Sequence, residues 1–262
     1  MMKTNKLFLG FMSVMLLALA ACEKSEQFYK DELYGINLTG YNGSGDTLIT
    51  KLGDITFPDG ILPNARFEQN NAYMFQSTEN KIKLRVMEKA SGKVVLEKEL
   101  HKEEGSAKVN FLYMDGKVGP MPDKPEVEKD KISLVYMFQP TLTNYTEPVD
   151  FVIGKYYVTP QVFEELARLK NVKPYEFSTA VSIPTFSTAR QEYNGVMTSV
   201  SFSVRIYKAG TNVPYIDGTS YTWNALNSTA PKPSASAASS KLYIFSESPL
   251  GNIMRFSTRL EL

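Results

Sequence analysis

Apolar and polar residues alternate with a period of two along most of this chain, which is typical of half-buried β-strands. Residues 81–88 show the pattern clearly, because Ile82, Leu84 and Val86 alternate with basic residues. The same alternation recurs at residues 94–100, 107–113, 132–138, 149–153, 177–183, 200–206 and 254–262. We therefore expect an all-β fold.

Turn residues divide the early part of this pattern into short strands. Ser91-Gly92 and Gly105 separate the first three alternating segments, and Asp115-Gly116, a strong hairpin signal, follows the third. Three strands joined by such short turns predict an antiparallel meander, which would form one half of a β-sandwich.

Residues 160–169 depart from the period of two and predict a helix. Thr159 is a suitable N-cap, Pro160 fits the first helical position, and Pro174 prevents continuation. The apolar positions that would share one helical face are Val162, Phe163, Leu166 and Leu169.

The fold expected from these patterns is two antiparallel, immunoglobulin-like β-sandwich units with one short helix between them. Residues 227–240, rich in Ser, Ala and Pro, are predicted to be a loop too polar to pack. The expected units are a signal peptide (1–21), a lipidated tether (22–32), a first β-sandwich (33–158), the helical junction (159–171) and a second β domain (172–262).

The N-terminus has the layout of a secretory signal peptide. Lys3 and Lys6 precede an apolar segment at 7–19, which is shorter than the roughly 20 residues of a bilayer-spanning helix. The run Leu-Ala-Ala-Cys that ends at Cys22 resembles the lipobox of bacterial lipoproteins. The resemblance implies that Cys22 is lipidated and becomes the first residue of the mature chain. An aspartate directly after the lipidated cysteine would favour retention in the inner membrane. Glu23 occupies that position here, which favours anchoring in the outer membrane. This residue leaves open whether the protein faces the periplasm or the cell surface.

Composition excludes several classes of partner and cofactor. Removing residues 1–21 takes away two lysines and no acidic residue, which leaves 27 basic and 28 acidic residues, a net charge of −1. A nearly neutral chain has no electrostatic reason to bind nucleic acid. Because Cys22 is the single cysteine, neither a disulfide nor a thiolate metal site is expected. We expect no cofactor and no bound metal.

The chain offers little for acid–base or nucleophilic catalysis. His101 is the single histidine and lies beside charged residues in a predicted turn. Exposure to solvent in that turn explains this residue without a catalytic role. Two carboxylates could support glycoside hydrolysis. The candidate acids are Glu103 with Glu104, Glu164 with Glu165, and Asp123 with Glu126 and Glu128, each set explained equally well by a turn, a helix terminus or a charged loop. We therefore expect a protein that is not an enzyme.

Aromatic residues give the one suggestion of a ligand site. Tyr215, Tyr221 and Trp223 cluster around Asp217-Gly218. Aromatic faces beside polar side chains suit sugars, whose C–H groups stack on the ring. The alternative is structural, because Tyr and Trp are common strand residues with a polar tip. These three residues are the candidate ligand-binding set.

The lipobox, the polar tether and the serial strands together resemble the two-domain, β-rich lipoproteins of Bacteroidota cell envelopes. This resemblance implies an outer-membrane-anchored, non-catalytic binding or scaffold module with a glycan or envelope protein as partner. A second reading is a fimbrillin-like structural or adhesion subunit, in which processing after an arginine such as Arg66 would free a groove for strand donation. A carboxylate-dependent glycoside hydrolase is the third.

Overall fold

A computed structural model describes residues 33–76 and 78–262 of the chain. The predicted signal peptide, Cys22 and the tether lie outside the described residues. Within them the protein is built from strands and loops, with one turn of 3-10 helix at Lys102–Glu104 and no α-helix. The all-β prediction is confirmed.

Seventeen strands occur in the described residues. In chain order they are β1 (Leu33–Asn42), β2 (Leu48–Leu52), β3 (Ile55–Thr56), β4 (Ala65–Met74), β5 (Lys81–Glu88), β6 (Val94–His101), β7 (Ser106–Met114), β8 (Lys117–Gly119), β9 (Lys131–Gln139), β10 (Val149–Tyr157), β11 (Val162–Val172), β12 (Val181–Pro184), β13 (Gln191–Tyr193), β14 (Val196–Thr198), β15 (Val200–Lys208), β16 (Ser239–Glu247) and β17 (Phe256–Glu261).

The strands up to β8 form a first pair of packed sheets, the N-terminal sandwich. One sheet has the order β4-β1-β7-β8 and the other the order β3-β2-β5-β6. Alternate residues of both sheets point inward, and each large apolar side chain buried in this way contributes roughly 1.5–3 kcal/mol. The core consists of Tyr34, Ile36, Leu38, Leu48, Leu52, Phe57, Ile61, Phe67, Phe75, Leu84, Val86, Leu100, Ala107, Val109, Phe111 and Tyr113.

The predicted meander is wrong in its third strand. β5 and β6 do form an antiparallel hairpin, closed by a turn in which Gly92 has a φ of 71°. After the turn at Gly105 the chain crosses to the other sheet, where β7 pairs parallel with β1 and, through the Asp115-Gly116 turn, antiparallel with β8. The alternation of apolar and polar residues indicates which face of a strand is buried. Because strands of both sheets show the same alternation, the pattern does not identify the neighbouring strand.

The later strands form the C-terminal sandwich. One sheet has the order β12-β9-β16-β17, the facing sheet has the order β11-β10-β15, and β13 and β14 form a separate hairpin. The core consists of Ile132, Leu134, Tyr136, Phe138, Val149, Phe151, Ile153, Leu169, Val172, Ile183, Phe202, Val204, Ile206, Tyr215, Ile216, Ala230, Ala235, Tyr243, Phe245 and Met254.

The predicted helix at 159–171 is wrong, because this segment forms β11, antiparallel to β10. Two register irregularities interrupt the pairing, and one leaves Leu166 as an extra residue between Glu165 and Ala167. The extra residue shifts the phase of the alternation, so apolar residues fall at helix-like spacing along a strand. Gly154 of β10 accommodates the distortion, since a Cβ there would lie 2.1 Å from the Glu164 carbonyl oxygen.

The proline-rich segment 120–130 separates the strands of the N-terminal sandwich from those of the C-terminal sandwich. The predicted first domain, 33–158, included β9 and β10. In the structure β9 pairs with β12 and β16, and β10 pairs with β11 and β15, all of them in the C-terminal sandwich. Sheet membership therefore groups residues 33–119 and 131–262. Each group contains a parallel strand pair, β1 with β7 and β9 with β16, so the sheets are not antiparallel throughout, and two immunoglobulin-like units are not confirmed.

A third apolar cluster joins the two sandwiches. Tyr41 of β1 and Met114 of β7 pack on the outer face of the β9 sheet, and the Tyr41 hydroxyl donates a hydrogen bond to Gln139 Oε1 at 3.3 Å. The other members are Val135, Met137, Leu242, Ile244 and Leu260, all buried. Contact through buried residues fixes the relative position of the sandwiches.

The stretch at 227–240 packs, contrary to expectation. Ala230 and Ala235 belong to the C-terminal core, and the Tyr136 hydroxyl donates a hydrogen bond to the Pro231 carbonyl oxygen at 2.9 Å. The segment is buried enough that desolvation lowers the pKa of Lys232. Its small side chains fit against the core, while backbone and hydroxyl groups find partners on β15, as in the hydrogen bond from Val204 N to Thr229 Oγ1.

Candidate functional site

The three predicted aromatic residues occupy two different environments. Tyr215 is 1% exposed and lies in the C-terminal core, with its ring centroid 5.1 Å from that of Phe138. Tyr221 and Trp223 are half-buried and pack on the margin of the same core. Of the three predicted residues, Tyr215 is therefore buried, and only Tyr221 and Trp223 remain partly exposed.

Backbone pairing holds the two marginal residues in place. Thr222, between them, donates from its N–H to the Asn252 carbonyl oxygen at 2.8 Å, and accepts from Met254 N–H at 3.0 Å. Tyr221 and Trp223, with the paired residues 250–254, form the aromatic rim. The rim lies at an open end of the core, where a chain segment rather than a strand covers the apolar side chains.

The aromatic rim contains unusual hydrogen-bond donors. Trp223 has its ring centroid 6.3 Å from Phe256 and 6.5 Å from Tyr207, so its ring edge is enclosed. Trp223 Nε1 of the rim, and Arg255 Nε next to the rim in the chain, are two of six buried side-chain atoms that have no hydrogen-bond partner among the described residues. An unsatisfied buried donor costs about 1–3 kcal/mol.

A buried carboxylate lies beneath this region. Glu247, 3% exposed, accepts hydrogen bonds from Leu142 N and Thr143 N at 2.7 and 2.8 Å and from the Thr143 hydroxyl. It also accepts from the Tyr215 hydroxyl at 2.8 Å. Burial and this carboxylate raise the pKa of Tyr215 well above its usual value, so the phenol remains a donor. The three contacts from Leu142 and Thr143 fasten the loop 140–148 to β16.

A second buried carboxylate is paired with an arginine. Asp150 is 1% exposed and accepts from Arg168 Nη1 at 3.1 Å, from Asn171 N at 2.9 Å and from Gly210 N at 3.1 Å. Arg168 also donates to Glu165 and to the turn at 211–212. The hydrogen bonds to Glu165 and Asp150 raise the pKa of Arg168. This network joins β10, β11 and the turn after β15.

The acids considered for hydrolysis are engaged in ordinary contacts. Glu104 accepts from the Tyr34 hydroxyl, and Glu164, which lies on a strand rather than a helix, accepts from the Tyr157 hydroxyl at 2.7 Å. His101 Nε2 lies 3.5 Å from Glu99 in an exposed row of charges on β5 and β6. Within residues 33–76 and 78–262 there is no group of three His, Cys, Asp or Glu side chains that could hold a metal ion.

Sequence reasoning missed Asp150 and Glu247, the two buried acidic side chains in the described part of the chain. Asp150 is a lone carboxylate in an otherwise apolar strand segment, and Glu247 ends the strand that contains Leu242, Ile244 and Phe245. An ionised group at such a position must find partners, because burial without them is costly. This pattern was the signal available, although it does not say which loops supply the donors.

Comparison with known proteins identifies no family. No family model matches the chain, and no curated protein does. Among solved structures, it is similar to CBMbc, a family CBM26 module of Amy13K from Eubacterium rectale in complex with maltoheptaose, at 8% identity and a TM-score of 0.22, over 86% of this chain and 95% of that one. It is also similar to a leucine-rich repeat protein from Bacteroides thetaiotaomicron, at 11% identity and a TM-score of 0.16, over 70% of this chain and 25% of that one. TM-scores this low support no argument about function.

Proposed function

We propose that the chain is a lipid-anchored, non-catalytic binding or scaffold module of the cell envelope, attached to the outer membrane through Cys22. The lipobox-like run before Cys22 supports the anchor. None of the helical structure in residues 33–76 and 78–262 is long and apolar enough to cross a membrane. Two or more acyl chains attach a protein stably to a bilayer, so lipidation alone is sufficient.

Substitution of the lipidated residue tests the anchor. Cys22→Ser should move the protein from the membrane fraction to the soluble fraction of lysed native cells, with an unchanged melting temperature for the folded part. Ser25→Ala, in the same predicted tether, is the matched control and should remain with membranes. A Cys22→Ser protein that still sediments with membranes would rule out the lipobox interpretation.

The buried carboxylates support a non-catalytic role. Asp150 accepts from two residues of β11 and from the turn at Gly210, and Glu247 accepts from the loop 140–148 and from Tyr215, so these carboxylates hold neighbouring segments in place. A general acid or base has to face a substrate proton within hydrogen-bonding reach. Both carboxylates instead face the protein's own backbone and side chains, which is a structural use of acidic groups.

Glycan is the ligand class we propose, and the observation that carries it is the aromatic rim. Trp223 is half-buried, so part of its indole ring is open to a ligand at the margin of the core. Saccharides offer apolar C–H faces for an aromatic ring together with many oxygen acceptors. Tyr221 adds a second half-buried ring with a polar tip beside it.

Binding measurements with Trp223 variants test this site. Trp223→Ala should weaken retention on soluble starch, mixed-linkage β-glucan or mucin glycans in affinity electrophoresis, by about tenfold or more for any polysaccharide that retains the native chain. Trp223→Phe keeps a ring without the N–H and should give an intermediate loss. Tyr175→Ala, which removes an aromatic side chain that is 42% exposed outside the rim, is the control and should bind normally.

The outcome also separates binding from folding. A native chain that none of these polysaccharides retains would argue against glycan as the ligand. A melting temperature that falls by several degrees in Trp223→Ala, with retention unchanged, would assign Trp223 to the core alone.

The alternative role as a fimbrillin-like subunit gains no support from the position of Arg66. This residue lies inside β4, opposite Tyr41 of β1, and not in a loop. Cleavage after Arg66 would divide β4 and separate β1, β2 and β3 from the rest of the N-terminal sandwich. Those strands supply a large share of that core, including Ile36, Leu38 and Leu48.

A further inference from the structure

The strand β4 forms an unusually regular free edge. It lies at the end of the sheet β4-β1-β7-β8, and its ten residues pair with β1 in continuous register without a bulge. Its sequence, Ala65–Met74, contains neither proline nor lysine. A long, flat edge presents unpaired N–H and C=O groups to solvent and is a template for another strand.

The other edges in the described sheets are short, irregular or covered. β3 and β8 have two and three residues, and β12 has four and ends at Pro184. Pairing of β6, β11 and β17 is interrupted by register irregularities. Segment 213–230 covers β15, with hydrogen bonds from Tyr215 N to Ile206 O and from Ala230 N to Val204 O. These are the usual protections against edge pairing, and β4 lacks them.

A groove of about 330 Å³ runs beside this free edge. It separates β4 from the segment 57–62 of the facing sheet, and Phe57, Ile61 and Phe67 contribute to its lining. Leu62 on its border is 65% exposed. A strand added to β4 would lie along this groove and cover Leu62.

The charges on β4 are complementary to those of a second copy of the same strand. Arg66 and Glu68 are exposed and lie two residues apart, so they point from the same face of the sheet. If two copies of β4 pair antiparallel about a two-fold axis at Phe67, residues 65–69 of the two copies pair, and Arg66 of each copy lies opposite Glu68 of the other. Direct cross-strand pairs of opposite charge are favourable, and like charges are unfavourable.

We propose that the chain forms a homodimer through β4, in which the two β4 edges pair antiparallel and join two four-stranded sheets into one. This interface is independent of the aromatic rim and of the proposed glycan ligand. Its residues lie in the N-terminal sandwich, whereas Trp223 lies in the C-terminal sandwich. Glycan binding can therefore be tested in a variant that has lost dimerisation, and dimerisation in a variant that has lost glycan binding.

A charge-swap series tests the interface. The full chain, extracted from membranes in a density-matched detergent, should sediment at equilibrium as a monomer–dimer mixture. Arg66→Glu or Glu68→Arg alone should raise the dimer dissociation constant by about tenfold or more, since each places like charges opposite each other twice in a symmetric pair. The double variant R66E/E68R should restore dimerisation, because the swapped charges are again complementary.

Controls separate pairing at this edge from general surface charge. Lys108→Glu changes a charge on β7, two strands away from the edge of the same sheet, and should leave the dissociation constant unchanged. Leu62→Asp should weaken the dimer by removing the apolar border of the groove. A chain that is monomeric at all concentrations, or a double variant no better than the single ones, would overturn the proposal.

Discussion

Replacing Arg168 by methionine should lower the free energy of unfolding by about 3–5 kcal/mol, because it leaves the Asp150 carboxylate buried without its countercharge. Asp150 is 1% exposed, so water cannot replace the guanidinium without opening the structure. The variant also loses the hydrogen bonds that hold the turn at 211–212. Urea unfolding monitored by circular dichroism measures the change.

The matched control for Arg168→Met is Lys81→Met. Lys81 Nζ lies 3.0 Å from Glu99, nearly the separation found in the buried pair, but both side chains are about half exposed. An exposed pair of this kind contributes about 0–1 kcal/mol. The double variant D150N/R168M should recover part of the loss, because the uncompensated charge is gone. Equal effects for Arg168→Met and Lys81→Met would show that the buried pair does not stabilise the fold.

Replacing Glu247 by leucine should destabilise the C-terminal sandwich by about 3 kcal/mol and release the loop 140–148. Leu142 N, Thr143 N and the Tyr215 hydroxyl would each lose their acceptor. Hydrogen exchange at the amides of Leu142 and Thr143 should become much faster than in the native chain, which mass spectrometry can follow.

Glutamine at position 247 is the informative comparison. Its amide oxygen can still accept from the two backbone N–H groups, and its NH₂ group can donate to the Thr143 and Tyr215 hydroxyls, which can rotate to accept. We therefore expect a loss of about 1 kcal/mol in Glu247→Gln, with the loop amides still protected. If Glu247→Leu left exchange at Leu142 and Thr143 unchanged, the carboxylate would not be what holds this loop.

The period-two pattern was sufficient to predict an all-β chain, and the reasons it failed elsewhere are physical. In β11, one extra residue at Leu166 changes the phase of alternation, so a bulged strand imitates the spacing of a helix. Thr159 and Pro160 before the bulge, which resemble a helix N-terminus, strengthen that imitation. A bulge is set by pairing with β10, and pairing across the sheet is not visible in a local window.

Which strands pair with each other was equally impossible to predict from the local sequence. β7 alternates as β5 and β6 do, but it crosses to the opposite sheet and lies parallel to β1, about 70 positions earlier in the chain. The same is true of β9, whose parallel partner β16 begins at Ser239. Such long-range pairs explain why residues 33–158 looked like one unit in sequence although β9 and β10 belong to the later sandwich.

Prediction of the candidate site was limited by burial rather than by chemistry. Tyr215, Tyr221 and Trp223 are close in sequence, but a segment without regular strands turns Tyr215 into the core and leaves the other two at its margin. For the small residues at 227–240 the error was the opposite, because a segment predicted to be exposed packs on the core. Polar composition suggested a solvated loop, yet alanines and satisfied backbone groups allow that segment to close the core.

The position of β1 would have a mechanical consequence under the anchoring through Cys22 that we propose. Tension arriving at Leu33 would act along β1, which is the inner strand between β4 and β7. Ten residue pairs on one side and eight on the other would then be loaded together in shear, rather than opened one after another like a zipper. The far end of β1 is gripped as well, because Tyr41 is buried against the β9 sheet. Pulled from its anchor, the folded part should therefore resist force as one body, with both sandwiches carrying the load.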